Sequence, residues 1–217
     1  MGQEILTKGH RQAIAVIAKE TKLANFYLTG GTALAHYYFQ HRLSDDLDFF
    51  TKDEIDPIFI HEFSNQLSRL LEADGFRFER IFDRYQFFFQ LNPQEELKIE
   101  FTRYPFLLLE EPNVQDGIRI DSLRDISANK LMAMLDRFDP KDFVDLYFIL
   151  QTSHLTDIRR DAEKKFGGTI SDLFLGSELA KVSRIEAFPK MVKALTIKEL
   201  KDFFSAQAKK LAPQFLE

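Results

Sequence analysis

The sequence predicts an α/β (α+β) fold, with a mixed-sheet core in residues 1–121 and a helical domain in residues 122–217. Two observations predict this division. Short apolar segments typical of strands alternate with helical patterns in the first half, whereas helical periodicity continues nearly to the end from Ser122 onward. With 217 residues, of which 45% are hydrophobic, the chain is long enough for one large domain or two small ones.

The first fifty residues predict the order helix, strand, turn, helix, strand. An amphipathic helix is expected over residues 3–22, and FYLTG (26–30) is a short apolar strand that stops at two glycines. Helical character resumes from Thr32 to Phe39. After the polar loop HRLSD, a second strand is expected over residues 46–51.

A helix and three strands are predicted next. The helix starts with Pro57 at its first position and closes near Gly75. The aromatic-rich segments FRFERIF, RYQFFFQL and LKIEFTRYPF follow, with turn signals at Asp83 and at Asn92-Pro93, which predicts an antiparallel meander. SLRDISANKLMAMLDRF and DPKDFVDLYFILQ then begin a series of helices through residue 217.

Composition excludes several classes of protein and of site. The chain has no cysteine, so disulfides, thiol nucleophiles and thiolate metal sites are excluded, and any metal is expected to be a hard one. No apolar run is long enough to span a membrane and the start lacks a signal-peptide core, so a cytoplasmic location is expected. A net charge of −5, from 29 basic and 34 acidic residues, gives no global signature of nucleic-acid binding.

Two carboxylates are expected side by side on the second strand. Residues i and i+2 of a strand point to the same face, so Asp46 and Asp48 lie together while Leu47 and Phe49 enter the core. Like charges this close favour a hard divalent cation between them, Mg²⁺ or Mn²⁺. The alternative is a polar strand end in which the acidic residues only cap a turn.

The surroundings of this acidic pair favour a phosphate ligand. The turn Gly30-Gly31-Thr32 allows close approach of backbone to a ligand, and the start of the following helix favours anions. In LKIEF, Glu100 faces opposite to the apolar residues, so it becomes a third carboxylate if that strand pairs beside DLDFF. Three acids would suit a two-metal centre for transfer at an α-phosphate.

GGTALAHYYFQHRLSDDLDFF (30–50) resembles the AbiEii/AbiGii-type toxin family of the nucleotidyltransferase fold superfamily. That family shows Gly-Gly-[Ser/Thr]-Ala-Leu, then His-Arg-x-Ser-x-Asp-Leu-Asp and an apolar pair. SLRDISANKLMAMLDRFDPKDFVDLY is similar to its later block of Lys, then Arg, then a Lys/Arg-Asp-x-x-Asp-Leu helix. The resemblance spans about residues 25–150 and implies a nucleotidyltransferase-like catalytic domain whose active-site cleft is completed by the helical domain.

The resemblance implies metal-dependent transfer of a nucleoside monophosphate from an NTP, with release of pyrophosphate. It assigns the triphosphate to the glycine turn, the metal to the aspartate pair and the third acid to Glu100, although some members use the later Lys and Asp instead. The residues so implied are Gly30, Gly31 and Thr32 for the substrate, and Asp46, Asp48 and Glu100 for the metal and for catalysis.

The later block adds candidate cations and acids. Lys130 and Arg137 are seven residues apart, hence on one helix face, and would suit a triphosphate. Asp142 and Asp145, on the next helix, would orient Lys130 or act as a base toward the incoming hydroxyl. The alternative is a network of ion pairs between helices. Arg42 and Ser44 match the family pattern as substrate-side residues, and His41 is expected to be a hydrogen-bonding loop residue rather than a ligand.

The resemblance also implies a biological setting. Members of the family often act as toxins of type IV toxin–antitoxin or phage-defence systems, so a cognate antitoxin protein is an expected partner. The implied acceptor is RNA, notably the tRNA end, or a protein hydroxyl, and no membrane is involved. Two alternatives stay open: a non-catalytic module that binds NTP and Mg²⁺, and a transferase acting on a small molecule such as an aminoglycoside.

Overall fold

The computed structural model describes residues 4–211, so the outermost residues of the predicted first and last helices lie outside the described part. The chain forms two compact units. The first runs up to Tyr38 and over Ser44–Phe106 and Glu110–Ser122, and the second comprises Phe39–Leu43, Leu107–Leu109 and the chain from Leu123 onward. Among residues 4–211, no helix has both the length and the apolar character needed to cross a bilayer.

The first unit contains a mixed sheet with helices. Its elements in the first seventy residues are α1 (Lys8–Ile17), β1 (Tyr27–Thr29), α2 (Gly30–Ala33, continued by a π-helical turn over Leu34–Phe39), β2 (Asp46–Thr51) and α3 (Pro57–Leu70). The remaining strands are β3 (Phe76–Ile81), β4 (Arg84–Asn92), β5 (Glu95–Arg103), β6 (Asn113–Gln115) and β7 (Ile118–Ile120).

The seven strands described in residues 4–211 form one sheet in the order β3-β4-β5-β2-β1-β7-β6. The predicted meander of β3, β4 and β5 is confirmed as two antiparallel pairs. Strand β2 pairs in parallel with β5 and antiparallel with β1, so it lies inside the sheet. The mixed α/β fold class is therefore confirmed.

Three elements differ from the prediction. Helix α3 begins at Pro57 as expected but ends at Leu70 rather than near Gly75. The first helix is shorter than expected: α1 ends at Ile17, and a separate 3₁₀ turn covers Thr21–Leu23. The hairpin of β6 and β7 was not predicted. Its turn is Asp116-Gly117, with φ of 51° and 78°, and an Asp-Gly pair with two positive φ angles is a strong hairpin signal that three-residue strands made easy to miss.

The second unit is helical, as predicted. Its helices are α4 (Leu123–Asp136), α5 (Pro140–Ile149), α6 (Leu155–Phe166), α7 (Asp172–Ala180) and α8 (Ile197–Leu211). The Asp139 side chain caps α5 by accepting a hydrogen bond from the backbone N–H of Lys141, and Pro140 occupies the first helical position. Leu43 donates its backbone N–H to the carbonyl of Lys190, which ties the segment Phe39–Leu43 to this unit.

The core of the first unit is built around Phe101 of β5. Its fully buried ring contacts the rings of Phe26, Phe49, Phe63 and Phe87, with centroids 5.5 to 6.3 Å apart. Aromatic pairs at such distances stabilise a core beyond the area that they bury. The alternating apolar residues of β5 therefore anchor the strand whose other face carries Glu100.

We expect Phe101→Ala to lower the free energy of unfolding by about 3 to 5 kcal/mol, because it leaves a cavity among four rings. Phe82→Ala is the matched control, since the Phe82 side chain is 91% exposed, and it should change stability by less than about 0.5 kcal/mol. Urea denaturation of both variants measures the difference. Equal losses would contradict this description of the core.

Candidate active site

The register of β2 against β5 determines which side chains share the polar face of the sheet. Asp48 lies opposite Glu100, and Asp46 lies opposite Lys98. Because directly paired residues point to the same face, the two aspartates, the glutamate and the lysine lie together. The pairing of LKIEF with DLDFF, the condition for Glu100 to join the aspartates, is therefore met.

The glycine turn directly contacts the acidic pair. Gly30 has φ of +72°, and a Cβ added there would lie 2.5 Å from Oδ2 of Asp48. Only glycine fits this position, because it tolerates the left-handed backbone and leaves room for the carboxylate. Gly31 follows in the first turn of α2, and the buried Thr32 hydroxyl donates to the backbone carbonyl of Asp46. The turn and the metal-binding candidates thus form one packed assembly.

Lys98 was not predicted as a site residue, yet its ammonium lies among the carboxylates. Its Nζ is 3.4 Å from Oδ2 of Asp46 and 3.6 Å from Oε2 of Glu100. Burial disfavours the charged amine, but Asp46, Asp48 and Glu100 outweigh burial and raise the pKa of Lys98. Its position two residues before Glu100 on the same strand was the available sequence signal.

The Glu100 carboxylate is hydrogen-bonded to neighbouring side chains. Its carboxylate, 1% exposed, accepts two hydrogen bonds from Arg84 at 2.6 and 2.8 Å, one from Gln86 at 2.7 Å and one from Thr102 at 2.7 Å. Burial alone would raise the pKa of Glu100, but these donors outweigh burial and lower it. Neither Arg84 nor Gln86 was predicted to be part of the site.

The chemistry of the donors decides which of these residues fit a hard cation. Asp46, with a side chain 47% exposed, and Asp48 present adjacent carboxylates on one strand face. Glu100 does not fit as a ligand in this arrangement, because Arg84, Gln86 and Thr102 already occupy its oxygens. Within residues 4–211, no group of three or more histidines and acids is arranged to hold a metal. Asp46 and Asp48 are therefore the residues here that would hold a hard cation.

In the second unit, the later motif block forms a buried ionic cluster around Asp145. The fully buried Asp145 carboxylate accepts bonds from Arg42 Nε at 2.6 Å and Nη2 at 2.8 Å, and Lys130 Nζ lies 2.6 Å away. Lys130 also bonds Asp142 at 3.0 Å, and Arg137 donates to the other oxygen of Asp142 at 3.0 Å. The structure thus brings the predicted residues of both helices together.

Charge balance explains how this cluster tolerates burial. Burial would raise the pKa of Asp145, but Lys130 and Arg42 outweigh it and hold the pKa far below its ordinary value. Burial would likewise neutralise Lys130, but Asp145 and Asp142 raise its pKa. Both partners therefore stay charged, and Asp145 is poorly suited to accept a proton.

The side chains of His41 and Arg42 bond within the cluster and are buried from solvent. His41 Nε2 bonds Asp145 at 2.7 Å, which confirms the expected hydrogen-bonding role, and burial lowers the pKa of His41 despite that carboxylate. The Arg42 side chain, 3% exposed, is bidentate to Asp145, a position that orients the cluster and does not reach solvent. Ser44 is half-buried, two residues before Asp46.

A family model described as the nucleotidyltransferase AbiEii toxin of a type IV toxin–antitoxin system matches residues 13–215. The chain belongs to the AbiEii nucleotidyltransferase toxin family. It is therefore a nucleotidyltransferase, as the motifs predicted.

Relatives and solved structures agree with this membership. An uncharacterised protein of Aquifex aeolicus is 33% identical over 170 residues, which cover 74% of this chain and 76% of that protein. The crystal structure of JHP933 from Helicobacter pylori has a TM-score of 0.60 at 20% identity and matches 94% of this chain and 89% of its own. The nucleotidyltransferase toxin MenT4 of Mycobacterium tuberculosis has a TM-score of 0.53 at 14% identity, with 94% and 81% covered. These two structures show the same fold.

Gly30→Ala should inactivate this AbiEii-family enzyme, because the new Cβ would displace the Asp48 carboxylate. A displacement of about 1 Å in a catalytic group is expected to reduce turnover about a hundredfold. Gly167→Ala is the matched control: Gly167 also has φ of +72°, but a Cβ there meets nothing within 4 Å. Both variants should lose about 1 to 2 kcal/mol of stability from backbone strain. Retained activity in Gly30→Ala would contradict the described contact.

Asp145→Asn should destabilise the second unit by about 3 to 5 kcal/mol, because it leaves buried cations without their carboxylate. Asp202→Asn is the control, since Asp202 pairs with Lys198 at an exposed position on α8, where the expected cost is below about 0.5 kcal/mol. Chemical denaturation distinguishes them. A small, equal effect of both substitutions would mean that the buried cluster contributes little to stability.

Proposed function

We propose that the chain transfers a nucleoside monophosphate from an NTP to an acceptor hydroxyl, with Mg²⁺ or Mn²⁺ held by Asp46 and Asp48. The observation that carries this proposal is the placement of both carboxylates on one face of β2, with Asp48 packed against the Gly30 turn. The bound cation would neutralise phosphate charge and the charge of the leaving pyrophosphate. Glu100 would have a structural role: its hydrogen bonds to Arg84, Gln86 and Thr102 would hold the side chains of the polar face in place.

The glycine turn is the proposed binding site of the triphosphate. Gly30 lies half-buried against the Asp48 carboxylate and carries no side chain that would keep phosphate oxygens from its backbone. The buried Gly31 follows it in the first turn of α2. Thr32 would contribute by fixing the backbone of Asp46 through its hydroxyl. Lys98 lies within reach of the same carboxylates, so it would balance their charge before and after substrate is bound.

For the cluster of the second unit we propose a positioning role. Lys130 is held by two aspartates, which fixes its ammonium within the cluster. The strongly lowered pKa of Asp145 favours the orienting role over that of a general base. Arg137, whose side chain is 58% exposed, is the member of the cluster most accessible to a ligand from solvent.

The proposed setting is a type IV toxin–antitoxin or phage-defence system. The family description names a toxin of a type IV system, and MenT4 is described as a nucleotidyltransferase toxin. A separately encoded antitoxin would be the protein partner. The acceptor class is RNA, such as a tRNA end, or a protein hydroxyl.

The test is transfer of label from each α-³²P-labelled NTP, with Mg²⁺, to total RNA or to cell extract. Wild type should transfer the label, and Asp46→Asn and Asp48→Asn should each reduce the rate about a hundredfold or more. Asp53→Asn is the matched control, because Asp53 is exposed just after β2 and bonds Asn25. It should leave the rate unchanged.

Label from γ-³²P-labelled NTP should not appear in the acceptor. If it does, the reaction is a phosphoryl transfer and the proposal is wrong. NTP binding without transfer to any acceptor would instead favour the non-catalytic binding module. Label only in a small molecule would favour the transferase that acts on a small molecule. Loss of activity in Asp53→Asn equal to that in Asp46→Asn would contradict the site assignment.

A further inference from the structure

The polar face of the sheet continues beyond the proposed metal-binding residues. Asp46 of β2 pairs with Lys98 of β5, Lys98 pairs with Phe88 of β4, and Phe88 pairs with Arg77 of β3. Paired residues share a face, so these four side chains form one row that ends at an edge strand of the sheet. We call Lys98, Phe88 and Arg77 the basic-aromatic row.

The outer end of this row is built for stacking. The Arg77 guanidinium lies over the Phe88 ring, 3.8 Å from its centroid, and also bonds Glu79. The Arg77 side chain is nevertheless 52% exposed, and Phe88 is half-buried. A guanidinium held over an aromatic ring offers a planar surface and a positive charge to an incoming ligand.

The side from which the acceptor approaches the α-phosphate indicates which ligand this row would contact. Strand β1, which leads into the Gly30 turn, lies on one side of β2, and β5 lies on the other. If the triphosphate sits at the glycine turn, the pyrophosphate leaves on the β1 side. An in-line displacement brings the acceptor oxygen from the opposite side. The acceptor therefore approaches across β5, β4 and β3, where the basic-aromatic row lies.

We propose that the basic-aromatic row binds the single-stranded end of a nucleic acid whose terminal hydroxyl accepts the nucleotide. This inference rests on the proposed function. Neighbouring strands are about 4.8 Å apart, so Phe88 lies roughly 10 Å from Asp46, about the reach of one or two nucleotides. Arg77 would stack on a base close to the terminus and pair its charge with the adjacent phosphate, and Lys98 would meet the last phosphates.

The chemistry of the row favours a nucleic acid over a peptide acceptor. Bases have planar faces that stack on aromatic rings and on guanidinium planes, and their phosphates pair with Lys and Arg. A peptide segment that carries a serine or threonine needs neither feature. The combination of cation, ring and cation in consecutive register positions is therefore matched to an oligonucleotide.

The chain provides a close control for this row. Arg80, on the same strand β3, likewise lies over an aromatic ring, that of Tyr85 of β4, 4.8 Å from its centroid. Arg80 and Tyr85 are paired in the sheet. Because residues 77 and 80 differ by an odd number, Arg80 points to the opposite face of the sheet. Arg77→Gln and Arg80→Gln therefore remove the same charge and a contact with a ring on opposite faces.

The experiment measures binding of a short, fluorescein-labelled, single-stranded oligoribonucleotide with a free 3′ hydroxyl by fluorescence anisotropy. Arg77→Gln should raise the Kd about tenfold or more, and Phe88→Leu should raise it by a similar factor. The slope of log Kd against log salt concentration should fall by about 0.7 for Arg77→Gln. Arg80→Gln should match wild type in both measurements, and the Kd for NTP should be unchanged in all three variants.

Each outcome is decisive. Equal affinities of Arg77→Gln and Arg80→Gln for the oligoribonucleotide, whether both weakened or both normal, overturn the proposal, as does a wild type that does not bind the oligoribonucleotide. Transfer to protein with no effect of Arg77→Gln also overturns it, while leaving the proposed function intact. The transfer assay tests the proposed function separately, because the anisotropy measurement detects binding and requires no reaction. Arg77→Gln alters an exposed side chain, so the test does not depend on the folding of Phe88→Leu.

Discussion

The parallel pairing of β2 with β5 is the contact on which the candidate site depends. Its register sets Asp48 opposite Glu100 and Asp46 opposite Lys98, while Leu47 and Ile99 are fully buried on the other face. A slip of one residue would exchange the faces and bury the aspartates, so the apolar residues that fill the core also specify the position of the acids. Stability and site geometry thus depend on the same strand pair.

Two groups of oppositely charged side chains, one around Asp46 and one around Asp145, differ in their exposure to solvent. Asp46 is about half exposed and its cationic neighbour Lys98 lies more than 3 Å away, so solvent and substrate can exchange with this contact. Asp145 is fully buried, and Arg42, Lys130 and His41 occupy its oxygens at 2.6 to 2.8 Å. A buried carboxylate needs such a complete set of partners, whereas a metal-binding pair must keep some of its oxygens accessible.

Much of the fold followed from periodicity and turn chemistry. The aromatic meander was predictable from its strand segments and turn signals. Alternation predicted the face of each residue of β2 and β5, but it did not predict that these two strands pair. The partners of Glu100 were not predictable, since Arg84 and Gln86 belong to a neighbouring strand whose register depends on tertiary packing. The same holds for the role of Arg42. A motif placed it beside substrate, but its chain segment pairs with residues near Lys190, about 150 positions later, and no local pattern predicts such a contact.

Electron paramagnetic resonance of Mn²⁺ titrated into the protein in the presence of an NTP tests the metal assignment most directly. If Asp46 and Asp48 hold the cation with the triphosphate, wild type should bind Mn²⁺ with resolved coupling to phosphorus nuclei. The double variant Asp46→Asn, Asp48→Asn should lose the bound signal, and the Asp53→Asn variant should keep it. Bound Mn²⁺ with the same phosphorus coupling in the double variant would show that the aspartate pair is not the metal site, and would contradict the central claim.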